Sequence, residues 1–139
     1  VYVLTNDGTG ALTLSNSYHD GYYQSGLAIG DVDGDGDLDL VYRNDQSGGP
    51  SQLSVLRNDG FGGFGSAETI DGPGTPSVLL GELIDLDGDG DLDYANGGSV
   101  WLNDGSGGFA SRLIHVVGGV FGDVNDDSMP DLVLAASGG

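Results

Sequence analysis

The sequence predicts an all-β chain built from repeated four-stranded antiparallel units, and three observations predict it. One nine-residue acidic pattern occurs three times. A second pattern, Asn-Asp-Gly entered from a short apolar run, alternates with it. Between the two lie brief segments of strand-like alternation, and helical periodicity is absent throughout. The 28 glycines in 139 residues suit a chain of many turns and short strands.

Val1 to Leu4 alternates as a strand and runs into Thr5-Asn6-Asp7-Gly8-Thr9-Gly10, a hairpin signal, with Ala11 to Ser15 as the return strand. A polar aromatic connection, Tyr18-His19-Asp20-Gly21-Tyr22-Tyr23-Gln24, follows. Ser25 to Val32 enters the first acidic loop and Leu38 to Arg43 leaves it. Gln52 to Arg57 then leads through Asn58-Asp59-Gly60-Phe61-Gly62-Gly63-Phe64 to Ala67–Ile70, and Gly72 to Pro76 connects onward. Ser77 to Leu86 enters the second acidic loop, and Asp93-Tyr94-Ala95 leaves it. Ser99 to Leu102, Asn103-Asp104-Gly105-Ser106-Gly107-Gly108-Phe109 and Ser111 to Val117 complete that unit. Gly119 to Val124 enters the third acidic loop, and Leu132 to Ala136 closes the chain.

The chain is thus expected to form a single repeat domain. Residues 25–71 and 77–117 make two complete units. Residues 1–24 hold the last two strands of a divided unit, and 118–139 hold its first two. Four-stranded repeats of roughly 40–50 residues indicate β-propeller blades, here two complete and one split between the termini. Each Asn-Asp-Gly is read as an ordinary hairpin turn, with the Phe64 and Phe109 rings packing between units.

The acidic loops carry the chemistry. Asp31-Val32-Asp33-Gly34-Asp35-Gly36-Asp37-Leu38-Asp39 sets five aspartates at alternate positions. Two carboxylates about 4 Å apart repel by on the order of 4 kcal/mol at an effective dielectric near 20, and a hard cation would offset this. Calcium takes six to eight oxygens, mixing carboxylate, backbone carbonyl and water. Alternate spacing turns positions one, three and five toward one centre, and Gly36 supplies the sharp turn.

Asp85-Leu86-Asp87-Gly88-Asp89-Gly90-Asp91-Leu92-Asp93 repeats the pattern at every acidic and glycine position, while Asp123-Val124-Asn125-Asp126-Asp127-Ser128-Met129-Pro130-Asp131 is a weaker copy with Ser128 in a glycine's place. Side-chain ligands are expected at positions one, three, five and nine. These are Asp31, Asp33, Asp35 and Asp39; Asp85, Asp87, Asp89 and Asp93; and Asp123, Asn125, Asp127 and Asp131. Backbone carbonyls are expected from Asp37, Asp91 and Met129. The expected cofactor is Ca²⁺, at two strong sites and a weaker third. An EF-hand is rejected: its position-twelve glutamate is replaced by Tyr42, Asn96 and Leu134, and strands rather than helices flank the loops.

Composition narrows the function. The formal charge is −19, and the only basic residues are Arg43, Arg57 and Arg112. Nothing here offers a basic patch to nucleic acid or to an anionic membrane. No apolar run is long enough to span a bilayer. Cysteine is absent, so no disulfide or thiol chemistry contributes. No signal peptide is visible, and the chain reads as a mature form, a processed piece or a fragment.

Gly30-Asp31-Val32-Asp33-Gly34-Asp35-Gly36-Asp37-Leu38-Asp39, with the later Asn-Asp-Gly-x-Gly-Gly-Phe, resembles the FG-GAP/VCBS repeat. That repeat occurs in integrin α-subunit propellers and many bacterial secreted proteins. The resemblance implies a calcium-bearing propeller, extracellular or on the cell surface, used in adhesion or as a scaffold.

The expected function is therefore a non-enzymatic, calcium-stabilised interaction module with a protein or glycan ligand. Because three blades are fewer than the four to eight that close a ring, it either belongs to a longer propeller or self-associates into a ring or filament. Two alternatives stand beside it. One is a propeller lectin in which Tyr18, Tyr22, Tyr23 and Trp101 stack on sugars, with His19 and Asp20 as polar partners. The other is a non-catalytic part of a secreted calcium-dependent enzyme. His115, flanked by Ile114 and Val116, is read as structural.

Overall fold

The computed structural model describes residues 1–21, 23–45, 51–72, 80–96, 99–113 and 119–134. Twelve strands run through them: β1 (Tyr2–Asn6), β2 (Leu12–Ser17), β3 (Tyr23–Gly30), β4 (Asp39–Asp45), β5 (Ser51–Leu56), β6 (Glu68–Asp71), β7 (Glu82–Ile84), β8 (Asp93–Asn96), β9 (Ser99–Asn103), β10 (Phe109–Leu113), β11 (Val120–Gly122) and β12 (Asp131–Val133). No helix occurs among the described residues, and the fold is all-β.

The strands form four antiparallel sheets, each in sequence order: β1-β2, β3-β4-β5-β6, β7-β8-β9-β10 and β11-β12. This meander follows from short connections, since neighbouring antiparallel strands need only a turn between them. No closed ring of sheets is formed among the described residues.

Several boundaries differ from expectation, among them β7, which spans only Glu82–Ile84 of the expected Ser77–Leu86 run. β3 begins at Tyr23, because Tyr23 and Gln24 extend the ladder to Asp45 and Asn44. β10 begins at Phe109, which pairs with Asn103 while its ring enters the core. The connection through Pro76, the start of the Ser77 run and the segment containing His115 lie outside the described residues.

The largest core cluster lies between the two four-stranded sheets. Val32, Val41, Leu53 and Val55 from one meet Tyr94, Trp101 and Phe109 from the other. A second cluster of Leu40, Tyr42 and Leu56 is covered by Val1, Val3, Tyr18 and Phe64, which seats the β1-β2 pair against the first full sheet. The two phenylalanines therefore pack between units as expected. Tyr18 and Phe64 meet edge to face at 5.7 Å, a favoured aromatic geometry. At the other end, Met129 of the third acidic loop lies over Gly88 of the second, which places β11-β12 beside β7-β10.

Candidate metal centre

Each acidic loop joins the first and second strands of its sheet: β3 to β4, β7 to β8 and β11 to β12. The loops hold their own shape through their aspartates. Asp31 Oδ1 accepts the Gly34 N–H at 2.8 Å and Oδ2 accepts the Gly36 N–H at 3.0 Å. Asp85 repeats this with Gly88 at 2.7 Å and Gly90 at 3.0 Å. In the third loop Asp123 Oδ2 accepts from Ser128 at 2.8 Å, and Oδ1 accepts from Asn125 and Asp127.

The fourth and sixth positions of all three loops take left-handed backbone. Gly34 and Gly36 have φ of 75° and 94°, and Gly88 and Gly90 have 78° and 97°. Asp126 and Ser128 keep the same conformation at 63° and 71° despite their side chains. The third loop thus reproduces the fold of the others at the cost of backbone strain.

Position nine ties the loop to the rest of its sheet. Asp39 is fully buried; its Oδ2 accepts the Val32 N–H at 3.1 Å and its Oδ1 the Asn58 N–H at 2.9 Å. Asp93 does the same with Leu86 and Asn103, both at 2.8 Å. The asparagines answer with their side chains: Asn58 Nδ2 donates to Leu38 O at 3.0 Å, and Asn103 Nδ2 donates to Leu92 O and to Val32 O. The Val32 bond reaches across to the neighbouring sheet's loop. Position seven meets the same turn, for a Cβ on Gly60 or Gly105 would stand 2.8 or 2.4 Å from the Asp37 or Asp91 carboxylate.

The Asn58-Asp59-Gly60 and Asn103-Asp104-Gly105 segments are therefore more than hairpin turns: they dock onto the acidic loops. Sequence reasoning missed this role. The available signal was the recurrence of Asn at the head of the turns that follow the first and second acidic loops.

Burial raises the Asp39 carboxyl above its ordinary range, opposed by the Asn58 and Val32 N–H groups and reinforced by the charges of Asp33 and Asp35. Asp93 is raised for the same reason, against the pull of Asn103 and Leu86 and with help from Asp87 and Asp89. Asp91 is raised by desolvation and then by the like charges of Asp89, Asp85, Asp104 and Asp87. Asp123 is held low, chiefly by the Ser128 N–H.

Two groups of carboxylates converge. Asp31, Asp33 and Asp39 each present an oxygen within 4.8 Å of the others, as do Asp85, Asp87 and Asp89. Asp35 stands outside the first group and Asp93 outside the second; no such acidic group forms in the third loop among the described residues. Asp35, and likewise Asp89 within its group, accepts the N–H of the position-seven residue, Asp37 or Asp91. In the third loop Asn125 accepts from Asp127, and Asp127 from Met129.

At such separations each carboxylate pair repels by on the order of 3 kcal/mol at an effective dielectric near 20. The first loop has a partial answer of its own. Arg57 Nη1 pairs with Asp33 Oδ2, while Nη2 donates to Ser106 O at 3.1 Å on the neighbouring unit's turn. The second loop has Leu102 at the equivalent position before Asn103. The all-oxygen donor set suits a hard divalent cation such as Ca²⁺.

The side chains expected to stack on sugar are dispersed. Trp101 is fully buried in the core, which corrects that expectation for it. Tyr18 is engaged with Phe64, His19 meets Tyr2 edge-on at 5.6 Å, and Asp20 accepts from Gln24 and Ser54. Tyr23 is exposed; Tyr22 lies outside the described residues.

Repeated antiparallel sheets, three of the four with an acidic loop between their first two strands, define an all-β repeat protein. Residues 31–95 match the family described as FG-GAP-like repeat, and the chain carries that repeat over this span. No curated protein and no solved structure matches the chain.

Proposed function

We propose that this chain is a calcium-stabilised, β-propeller-type interaction module that works outside the cell as an adhesion or scaffold element. The observation that carries the reading is the convergence of Asp31, Asp33 and Asp39, and of Asp85, Asp87 and Asp89, at the same place in two successive sheets. One coincidental acidic cluster is ordinary. Two that share loop positions one and three, in loops already shaped by their own backbone bonds, support a common ligand.

Asp31, Asp33 and Asp39 would hold one ion and Asp85, Asp87 and Asp89 the second, with Asp35, Asp93 and the Asp37 and Asp91 carbonyls as further oxygen donors. The third loop, with Asp123, Asn125, Asp127, Asp131 and the Met129 carbonyl, would bind more weakly. The ion's role is structural: it cancels the repulsion that otherwise opens each loop. Carboxylates committed to this task are poor acid/base groups, so the module is non-enzymatic and presents a surface to a protein or glycan ligand.

Thermal melting in millimolar Ca²⁺ and in EDTA tests the reading. At ten times Kd one ion adds about 1.4 kcal/mol, so two strong sites add about 3 kcal/mol. Chelation should lower Tm by roughly 6–12 °C for a chain of this size. Identical melts in the two buffers would refute calcium as the structural ligand.

A further inference from the structure

Asn103 touches the first two acidic loops at once. It is buried, and its Nδ2 donates to Val32 O at 2.8 Å in the first loop and to Leu92 O at 3.2 Å in the second. An amide nitrogen carries two hydrogens, so one side chain can serve both carbonyls. Val32 lies between Asp31 and Asp33, and Leu92 between Asp91 and Asp93. The Asn103 N–H meanwhile donates to Asp93 Oδ1, and its Oδ1 accepts the N–H groups of Gly105 and Gly107, which fixes the turn itself.

Asn58 holds the same place in the first four-stranded sheet, yet its Nδ2 donates to Leu38 O of its own loop and to no second loop among the described residues. The bond to Val32 sets Asn103 apart. Two further contacts join the same regions. Leu92 packs on the mouth of the first loop, where a Cβ on buried Gly30 would stand 3.0 Å from its Cδ1. Arg57, paired with Asp33, ends on Ser106 O of the turn that Asn103 heads. The second and third loops, by comparison, meet through the Met129 thioether over Gly88.

Two sites are coupled when each ligand orders an element that the other also needs. An ion held by Asp31, Asp33 and Asp39 fixes the backbone at Val32. An ion in the second loop, with Asp91 and Asp93 among its donors, fixes the backbone at Leu92. Both carbonyls end on the Asn103 amide, so whichever ion binds first sets that side chain and its turn for the other. Charge acts the opposite way: an ion in one loop lessens the pull of its aspartates on a second ion, and salt screens this.

We infer that the first two loops bind Ca²⁺ with positive cooperativity and that Asn103 is the positioning residue that couples them. The inference rests on the calcium reading above and names the regulation of those two sites. Its consequence is a narrow working range: the two four-stranded sheets become ordered together over a smaller change in Ca²⁺ than two independent sites require.

The test follows the backbone amide NMR signals of Gly34 and Gly36 in the first loop, and of Gly88 and Gly90 in the second. Ca²⁺ is added to the full chain in about 0.3 M KCl, where the charge effect is screened. Asp87→Asn, at an exposed member of the second group, weakens the second loop. It should also move the first loop's midpoint to about 5-fold higher Ca²⁺, near the lower end of ordinary coupling between sites. Asn103→Asp keeps the turn's acceptor and loses both Nδ2 bonds; in that chain, adding Asp87→Asn should leave the first midpoint in place. Asn58→Asp makes the same chemical change at a residue whose Nδ2 serves its own loop, and there the linkage should persist. A first loop indifferent to Asp87→Asn in the otherwise unmodified chain would overturn the inference, and that comparison decides even if Asn103→Asp does not fold. So would linkage that survives Asn103→Asp unchanged. Loops that fill with Ca²⁺ independently would leave the metal reading standing and remove only the coupling, whereas signals that ignore Ca²⁺ would remove both.

Discussion

Asp39 Oδ1 accepts the backbone N–H of Asn58 at 2.9 Å, which joins the end of an acidic loop to a turn nineteen residues further along the chain. Asp93 and Asn103 repeat it at 2.8 Å. One carboxylate thereby fixes the loop through Val32 or Leu86 and docks the next hairpin at the same time. The acidic loops and the hairpin turns are one device, and the second and third strands of each four-stranded sheet are pinned at that end.

This bond can be separated from metal binding. Asp93→Ala leaves two N–H donors without their acceptor, each costing about 1–3 kcal/mol. Urea unfolding in EDTA should show a loss of about 2–4 kcal/mol. An unchanged midpoint would mean that water serves both donors equally well.

Arg57 neutralises Asp33 in the first loop, whereas the second loop has Leu102 there. Arg57→Leu should tighten Ca²⁺ at the first loop by roughly 5-fold, since a cation near the site opposes another. The same variant should be less stable in EDTA. Titration calorimetry beside a chelator melt reads both effects, and weaker calcium binding would contradict this role.

Ser128 holds φ 71° where the other loops have glycine. Ser128→Gly should relieve about 1–2 kcal/mol of left-handed strain, less the 0.4–1 kcal/mol that glycine's unfolded freedom costs. The expected net gain is about 0.5–1 kcal/mol by urea unfolding. A loss would show that the Ser128 side chain contributes something the backbone geometry does not reveal.

Acidity should act in opposite directions with and without calcium. Asp39 and Asp93 are raised in the folded state by burial, so that state binds their protons more tightly than the unfolded chain does. In EDTA their contribution rises as pH falls from neutral and is complete below the unfolded value of about 4. Asp7, Asp104 and Asp123 are held low, and they lose stability only below that range. With Ca²⁺ present, protonating Asp39 and Asp93 displaces the ion. Between pH 7 and about 4 the EDTA melt should therefore rise while the calcium melt falls, and parallel curves would contradict the assignment.

Much of this protein was legible in its residues. Alternation and turn signals found the order of the twelve strands and most of their bounds to within about two residues, β7 being much shorter than expected, because short antiparallel strands are bounded by local chemistry. The Asp-x-Asp-x-Asp spacing marked the acidic loops, since ligand convergence within nine residues is a local property of the backbone. The Phe64 and Phe109 rings were also placed correctly between units. The starts of β3 and β10 were misjudged because Tyr23 and Phe109 join ladders whose partners, Asp45 and Asn103, are set by register.

What only the tertiary structure decided is who meets whom across the sheets. Trp101 was open in sequence to sugar stacking or to packing, and the neighbouring sheet encloses it. Asn58 and Asn103 read as turn residues, yet their N–H groups end on buried carboxylates. Asp31 and Asp33 come together with Asp39 in the first loop, whereas Asp85 and Asp87 come together with Asp89 in the second, and nothing in the two nearly identical sequences announces that difference. Local sequence dictates the loops and strands through backbone sterics and short-range hydrogen bonds. Docking between distant segments depends on register and burial, and these exist only once the sheets have formed.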